Sequence, residues 1–192
     1  MVEVLLFHHA QGLTDGVQAF AQRLRGAGHT VHVPDLYAGR VFDDLEEGVG
    51  HARQVGFEEI GRRATQAAQE LPADLVYAGF SLGVMSAQRL AQTRPGARGA
   101  LLFHSCLPPS AFDTVWPADV PLQVHGMEGD DWFVADGDLA AARDLVSGIP
   151  DGEVFLYPGD AHLFADSSLP GYDQAAADLL TQRVLQFLAR VS

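Results

Sequence analysis

The stretch Asp74-Leu75-Val76-Tyr77-Ala78-Gly79-Phe80-Ser81-Leu82-Gly83, followed by Val84-Met85-Ser86-Ala87-Gln88-Arg89-Leu90-Ala91, decides how this chain is read. Residues 74–78 are an apolar run suited to a buried parallel strand. Residues 84–91 are good helix formers. Between the two lies G-x-S-x-G, from Gly79 to Gly83. Strand, sharp turn and helix in that order define a nucleophile elbow, which lifts a serine hydroxyl above a sheet. Glycines two residues either side of Ser81 let backbone pass close by without a Cβ clash. The N–H of Leu82 then points to where the oxyanion of an attacked acyl group forms.

Outward from the elbow, short apolar runs alternate with helical patterns along the whole chain. Val2–Phe7 is the first run. Thr14 and Asp15 are N-cap types, and Val17, Phe20, Ala21 and Leu24 fall on one helical face before Gly26 and Gly28. Thr30–Val33 is a short strand stopped by Pro34. Residues 43–71 read as mostly helical, with glycines that blur the boundaries. Gly99–Phe103, Leu122–His125 and Glu153–Tyr157 are further strands. Helices are expected around Asp138–Ser147 and Asp173–Val191. Six strands with helices between them predict a mostly parallel sheet covered on both faces. Sites in such sheets lie at the carboxyl ends of strands.

The bulk composition fits one domain over residues 1–192. Hydrophobic residues make up 47% and charged residues 19%, as in ordinary globular chains. The formal net charge of −13 repels phosphate backbones and anionic bilayers, so neither nucleic acid nor membrane is an expected partner. Cys106 is the single cysteine and no disulfide within the chain is possible. The N-terminal residues lack a basic segment and a small-residue cleavage site, so a cytoplasmic protein is expected.

A serine nucleophile needs a base, and the base needs an orienting acid. In the fold with this elbow, the chain order is Ser, then Asp or Glu, then His. The strand at 122–125 is followed by Gly126-Met127-Glu128-Gly129-Asp130-Asp131-Trp132-Phe133-Val134. The strand at 153–157 is followed by Pro158-Gly159-Asp160-Ala161-His162. His162 is the only histidine after Asp131 and is the candidate base. Glu128, Asp130, Asp131 and Asp136 are all candidates for the acid, and spacing does not choose between Asp130 and Asp131.

Five segments together resemble the dienelactone hydrolase family: LLFHHAQGLT, VPDLYAGR, GFSLG, HGMEGDDWFV and YPGDAHLF. The resemblance covers nearly the whole chain and implies a reduced α/β-hydrolase fold that hydrolyses a small ester or lactone without cofactor or metal. In that family the acid is an Asp followed by two residues and a Val, which implies Asp131. The family histidine falls on His162. The resemblance also implies an oxyanion hole from the N–H groups of Leu82 and Ala10. Two departures stand out. The best-known members carry cysteine where this chain has Ser81, and His9 occupies a position where the family often has glutamate.

Other residues are weaker candidates. His9, Tyr37, Arg40, Trp132 and Phe164 all follow strands and are expected to line a substrate pocket. Adjacent His8 and His9 point to opposite sides of a strand end, which argues against a shared metal. Cys106 reads better as a small buried hydrophobe than as a rival nucleophile. The Pro-rich loop Ser105–Val120 is either a cover for the site or core packing. A thioesterase or acyltransferase on the same site, and a non-catalytic binding module, are the competing functions.

Overall fold

The computed structural model describes all 192 residues. In chain order its elements are β1 (Glu3–Phe7), α1 (Asp15–Gly26), β2 (Thr30–His32), α2 (Leu45–Val55), α3 (Phe57–Gln69), β3 (Val76–Phe80) and α4 (Leu82–Thr93). There follow β4 (Gly99–Phe103), β5 (Leu122–Met127), α5 (Asp131–Val134), α6 (Asp138–Ser147), β6 (Gly152–Tyr157) and α7 (Gln174–Arg190), with one 3-10 turn at Pro109–Phe112. The strands form one sheet in the order β2-β1-β3-β4-β5-β6, and every pairing is parallel. Strands β3, β4 and β5 are buried along their whole length. That double burial is why they read as continuous apolar runs rather than as alternating ones.

Side-chain alternation splits the core in two. Leu5, Phe7, Tyr77, Leu102 and Val124 point to the face covered by α2, α3, α4 and α6, where Ala52, Ile60, Val84 and Leu145 meet them. Val4, Leu6, Val76, Phe80 and Phe103 point to the other face, covered by α1 and α7 through Phe20, Leu24, Leu180 and Phe187. There Phe20, Phe80 and Phe103 pack ring against ring, with centroids 4.7–5.5 Å apart. Truncating one such buried ring to alanine costs about 3–5 kcal/mol.

Two boundaries differ from the sequence expectation. The helical region after β2 is two helices, broken at Gly56, whose φ of 92° only glycine adopts without strain. Strand β3 starts at Val76 rather than Asp74 and runs through Gly79 and Phe80, so the first half of the serine motif is strand. None of the helices is long and apolar enough to cross a membrane. The chain reverses its direction of travel across the sheet between β1 and β3. The crevice at their carboxyl ends is therefore the place where a parallel sheet offers a site.

Candidate active site

The elbow is built as its sequence predicts. Ser81 adopts φ 47° and ψ −111°, outside the comfortable range for a residue with a Cβ. Its N–H donates to the Phe103 carbonyl at 2.7 Å, and its carbonyl accepts from Val84 N–H at 2.8 Å. Strain of this kind costs of order 1–3 kcal/mol and persists only where the surroundings impose it. The flanking glycines permit the close backbone packing that surrounds it. A Cβ on Gly79 would sit 2.4 Å from the Gly83 carbonyl carbon, and one on Gly83 would sit 2.5 Å from the Phe7 carbonyl oxygen. No side chain fits at either position without moving backbone.

Three side chains meet above the crevice. His162 Nε2 lies 2.8 Å from Ser81 Oγ, and His162 Nδ1 lies 2.7 Å from Asp130 Oδ2. A neutral ring carrying its proton on Nδ1 donates to the carboxylate and leaves Nε2 free to accept from the serine. The two loops that supply these residues are joined by backbone. Glu128 N–H donates to the Tyr157 carbonyl at 3.0 Å, and Gly129 N–H to the Gly159 carbonyl at 2.9 Å.

The carboxylate bonded to His162 is that of Asp130, where the sequence resemblance implied Asp131. The reason is local. Asp130 is the N-cap of α5, and its Oδ1 accepts from Trp132 N–H at 3.0 Å while Oδ2 faces the imidazole. Asp130 is wholly buried. Asp131 is the first residue of α5 and is exposed.

The loop after β1 is held by polar contacts on all sides. His8 Nδ1–H donates to the His9 carbonyl at 2.8 Å, and His8 Nε2 accepts from Leu36 N–H at 3.0 Å. Burial pushes the His8 pKa down to about 4, so it stays neutral in that double role. His9 Nδ1 accepts from Gln11 N–H at 3.2 Å, which leaves Nε2–H to donate to Asp166 at 2.7 Å. The Gln11 amide donates to the carbonyls of Phe42 and Asp43 at 3.1 Å. In the middle of this framework Ala10 N–H makes no hydrogen bond within the protein, and neither does Leu82 N–H at the start of α4. Two unpaired backbone donors, one next to Ser81 in the chain and one in the loop after β1, are groups of the kind that hold an oxyanion.

Among the residues expected to line a pocket, Trp132 lies beside His162 at the surface. It is 42% exposed, and its ring centroid lies 5.8 Å from that of His162. His9, Tyr37 and Phe164 do not line one, because each is at most 2% exposed. His9 is spent on Asp166, Tyr37 packs against His8 and His51, and Phe164 packs against His104 and Tyr157. Arg40 is exposed on the loop beside Gly12, where its charge helps to lower the pKa of His51 after the larger effect of burial. Cys106 is buried, and burial pushes its thiol up to about 12, so no thiolate is available for attack. Trp116 of the Pro-rich loop is core packing, with its indole N–H donating to the Val120 carbonyl at 2.7 Å.

Sequence reasoning missed two residues near the site. Asp166 is 2% exposed and gathers His9, Thr14 and Ser168 around its carboxylate. Burial raises its pKa, but the hydrogen bonds from His9, Ser168 and Thr14 outweigh that and hold it below the usual value. The run Asp166-Ser167-Ser168, which forms its own side-chain turn, is the signal that was available. His104 is fully buried at φ 66°, with neither ring nitrogen bonded and its centroid 5.9 Å from that of His162. Burial holds its pKa well below 6.5, so it adds no positive charge beside His162.

The chain resembles several solved structures in fold. It is 18% identical to a chain described as a dienelactone hydrolase from Klebsiella pneumoniae, with a TM-score of 0.77 over 98% of this chain and 86% of that one. It is 21% identical to a dienelactone hydrolase-like promiscuous phosphotriesterase from metagenomic libraries, with a TM-score of 0.73 over 100% of this chain and 87% of that one. It also matches tomato methylketone synthase I at 13% identity, with a TM-score of 0.67 over 100% and 99% of the two chains. Likeness at these identities shows a shared fold, the α/β-hydrolase fold, and not a shared reaction. No curated protein matches the chain. The model of the dienelactone hydrolase family matches residues 2–192, that is, all but the first residue. With the elbow at the crevice of the sheet and a family match along its whole length, the chain is a hydrolase-fold protein that belongs to the dienelactone hydrolase family.

Proposed function

We propose that this protein hydrolyses a small carboxylic ester or lactone through an acyl-enzyme on Ser81. The observation that carries the reading is the line Ser81 Oγ, His162, Asp130, at 2.8 and 2.7 Å, on a serine held in a strained elbow. In the first half-reaction Ser81 Oγ attacks the acyl carbon while its proton passes to His162 Nε2. The negative charge that develops on the carbonyl oxygen is taken up by the N–H groups of Leu82 and Ala10. The C–O bond to the alcohol then breaks, and His162 returns the proton to the departing oxygen. In the second half, water gives a proton to His162 as it attacks the acyl carbon; the bond from that carbon to Ser81 Oγ then breaks, His162 returns the proton to Oγ, and the acid leaves. Asp130 keeps the Nδ1–H tautomer and stabilises the imidazolium in both halves.

No resident cofactor enters this scheme. A thioester would follow the same steps, so ester, lactone and thioester differ in leaving group rather than in machinery. The experiment is pre-steady-state hydrolysis of p-nitrophenyl acetate. A burst of one p-nitrophenolate per protein, absent in Ser81→Ala, is expected of an acyl-enzyme. Turnover that is unchanged in Ser81→Ala would overturn the reading.

A further inference from the structure

The crevice is flanked by two cavities of different character. One, of about 330 Å³, lies between α3, α4 and the turn at 109–112, and is lined by Ile60, Ala64, Leu82, Met85, Leu90 and Phe112 among others. Its charged members, Glu58, Arg89 and Asp113, are solvent-exposed, and the hydroxyls of Thr65 and buried Ser86 are the other polar groups of its wall. The other, of about 230 Å³, is lined by Gln11, Asp43, Leu45, His162, Leu163 and Pro170 among others. The two share no residue. The first touches the reacting centre through Leu82, the second through His162.

We infer that the first cavity receives the acyl chain of the substrate and the second its alcohol, so that the protein's substrates are esters of an extended apolar acid with a small, uncharged alcohol. The inference rests on the ester-hydrolase reading above and on one requirement of that chemistry. The leaving oxygen must take its proton from His162, so the alcohol lies on the His162 side of Ser81. The acyl chain leaves the carbonyl carbon in the other direction. Its carbonyl oxygen is held at Leu82 N–H, and the Leu82 side chain is the start of the larger cavity. Apolar walls favour an apolar chain there. On the other side, the carboxylate of Asp43 disfavours an anionic alcohol.

Gly61 makes the test clean. It lies on α3 in the wall of the larger cavity, and a Cβ there meets nothing nearer than Arg89 Nη1 at 3.5 Å. Gly61→Leu therefore fills the cavity from a helix surface that leucine suits better than glycine. The probes are p-nitrophenyl acetate, butyrate and octanoate. In the natural protein kcat/KM should rise about tenfold or more from acetate to octanoate, as methylenes leave water. In Gly61→Leu the octanoate value should fall by about tenfold while the acetate value stays within about twofold. A flat chain-length profile, or equal losses on acetate and octanoate, overturns the assignment of the cavity and leaves the acyl-enzyme reading standing. Absence of hydrolysis of all three esters, with no burst, overturns both.

Discussion

The molecule contains two buried histidine–aspartate pairs, and they do different work. His162–Asp130 and His9–Asp166 have the same separation, 2.7 Å. Both carboxylates are sealed from solvent. The pairs differ in what the other imidazole nitrogen faces. His162 Nε2 faces a serine hydroxyl, which can give up its proton, and the His162 side chain is 10% exposed. His9 Nδ1 faces the Gln11 backbone N–H, which cannot, and its side chain is wholly buried. The first pair is thereby arranged as the proposed hydrolysis needs a proton carrier to be. The second is a brace that ties the loop bearing Ala10 to the loop bearing His162. A histidine–carboxylate pair is thus no sign of catalysis until its second partner is known.

The largest effect expected is at the serine itself. Ser81→Ala should lower ester turnover by about 10⁴-fold or more with the fold intact, measured as kcat together with a thermal melt. Cys106→Ala should keep most activity, because its thiol is buried and un-ionised. Next comes the acid. Asp130→Asn should cost about 10³–10⁴-fold in kcat, because the amide favours the wrong tautomer of His162. Asp131→Asn should change kcat by less than about threefold, as is usual for an exposed helix-end residue. A larger loss at Asp131 than at Asp130 would return the acid role to Asp131, and equal losses would contradict the assignment to Asp130.

The brace should show a smaller and different signature. His9→Phe should lower kcat by about 10- to 100-fold, because the Ala10 N–H is no longer held in place, and leave KM within about threefold. It should also lower stability by about 3–5 kcal/mol, since the Asp166 carboxylate loses its buried partner. His9→Gln, which keeps a donor for Asp166, should recover part of both. A variant that melts earlier but turns over normally would separate His9 from the oxyanion site.

The last effect concerns pH and the fold and involves no change of residue. His8 and His125 are pushed by burial to about 4 and about 3, and His104 is pushed down as well. Below about pH 6.5 the unfolded chain therefore binds protons that the folded chain refuses, so stability falls as pH falls. The loss begins near pH 6.5 and continues to about 4 for His8 and about 3 for His125, at up to roughly 1.4 kcal/mol per pH unit for each of the two. Urea midpoints between pH 7 and 5 measure it. Stability that rises on acidification in that window would contradict the burial of these rings.

The fold was legible from sequence because a parallel sheet writes itself as apolar runs separated by helical patterns. The elbow was legible because its glycines answer to steric demands within a few residues. The acid was not. Asp130 and Asp131 differ in chemistry only through the helix cap, in which one residue turns a carboxylate inward and the next turns it out. The pocket residues failed for a related reason. Following a strand places His9, Tyr37 and Phe164 near the crevice, but burial beneath it depends on packing from distant parts of the chain. The partner of His9 lies 157 residues away, and no local pattern announces it.

The central claim is that Ser81 is a nucleophile activated by His162 and Asp130. The most direct test is mass spectrometry of the protein after exposure to a fluorophosphonate. The account predicts a single adduct, located on the peptide containing Ser81, formed rapidly in the natural chain and far more slowly in Asp130→Asn. An adduct on another residue, or a labelling rate at Ser81 that does not change in Asp130→Asn, would contradict it.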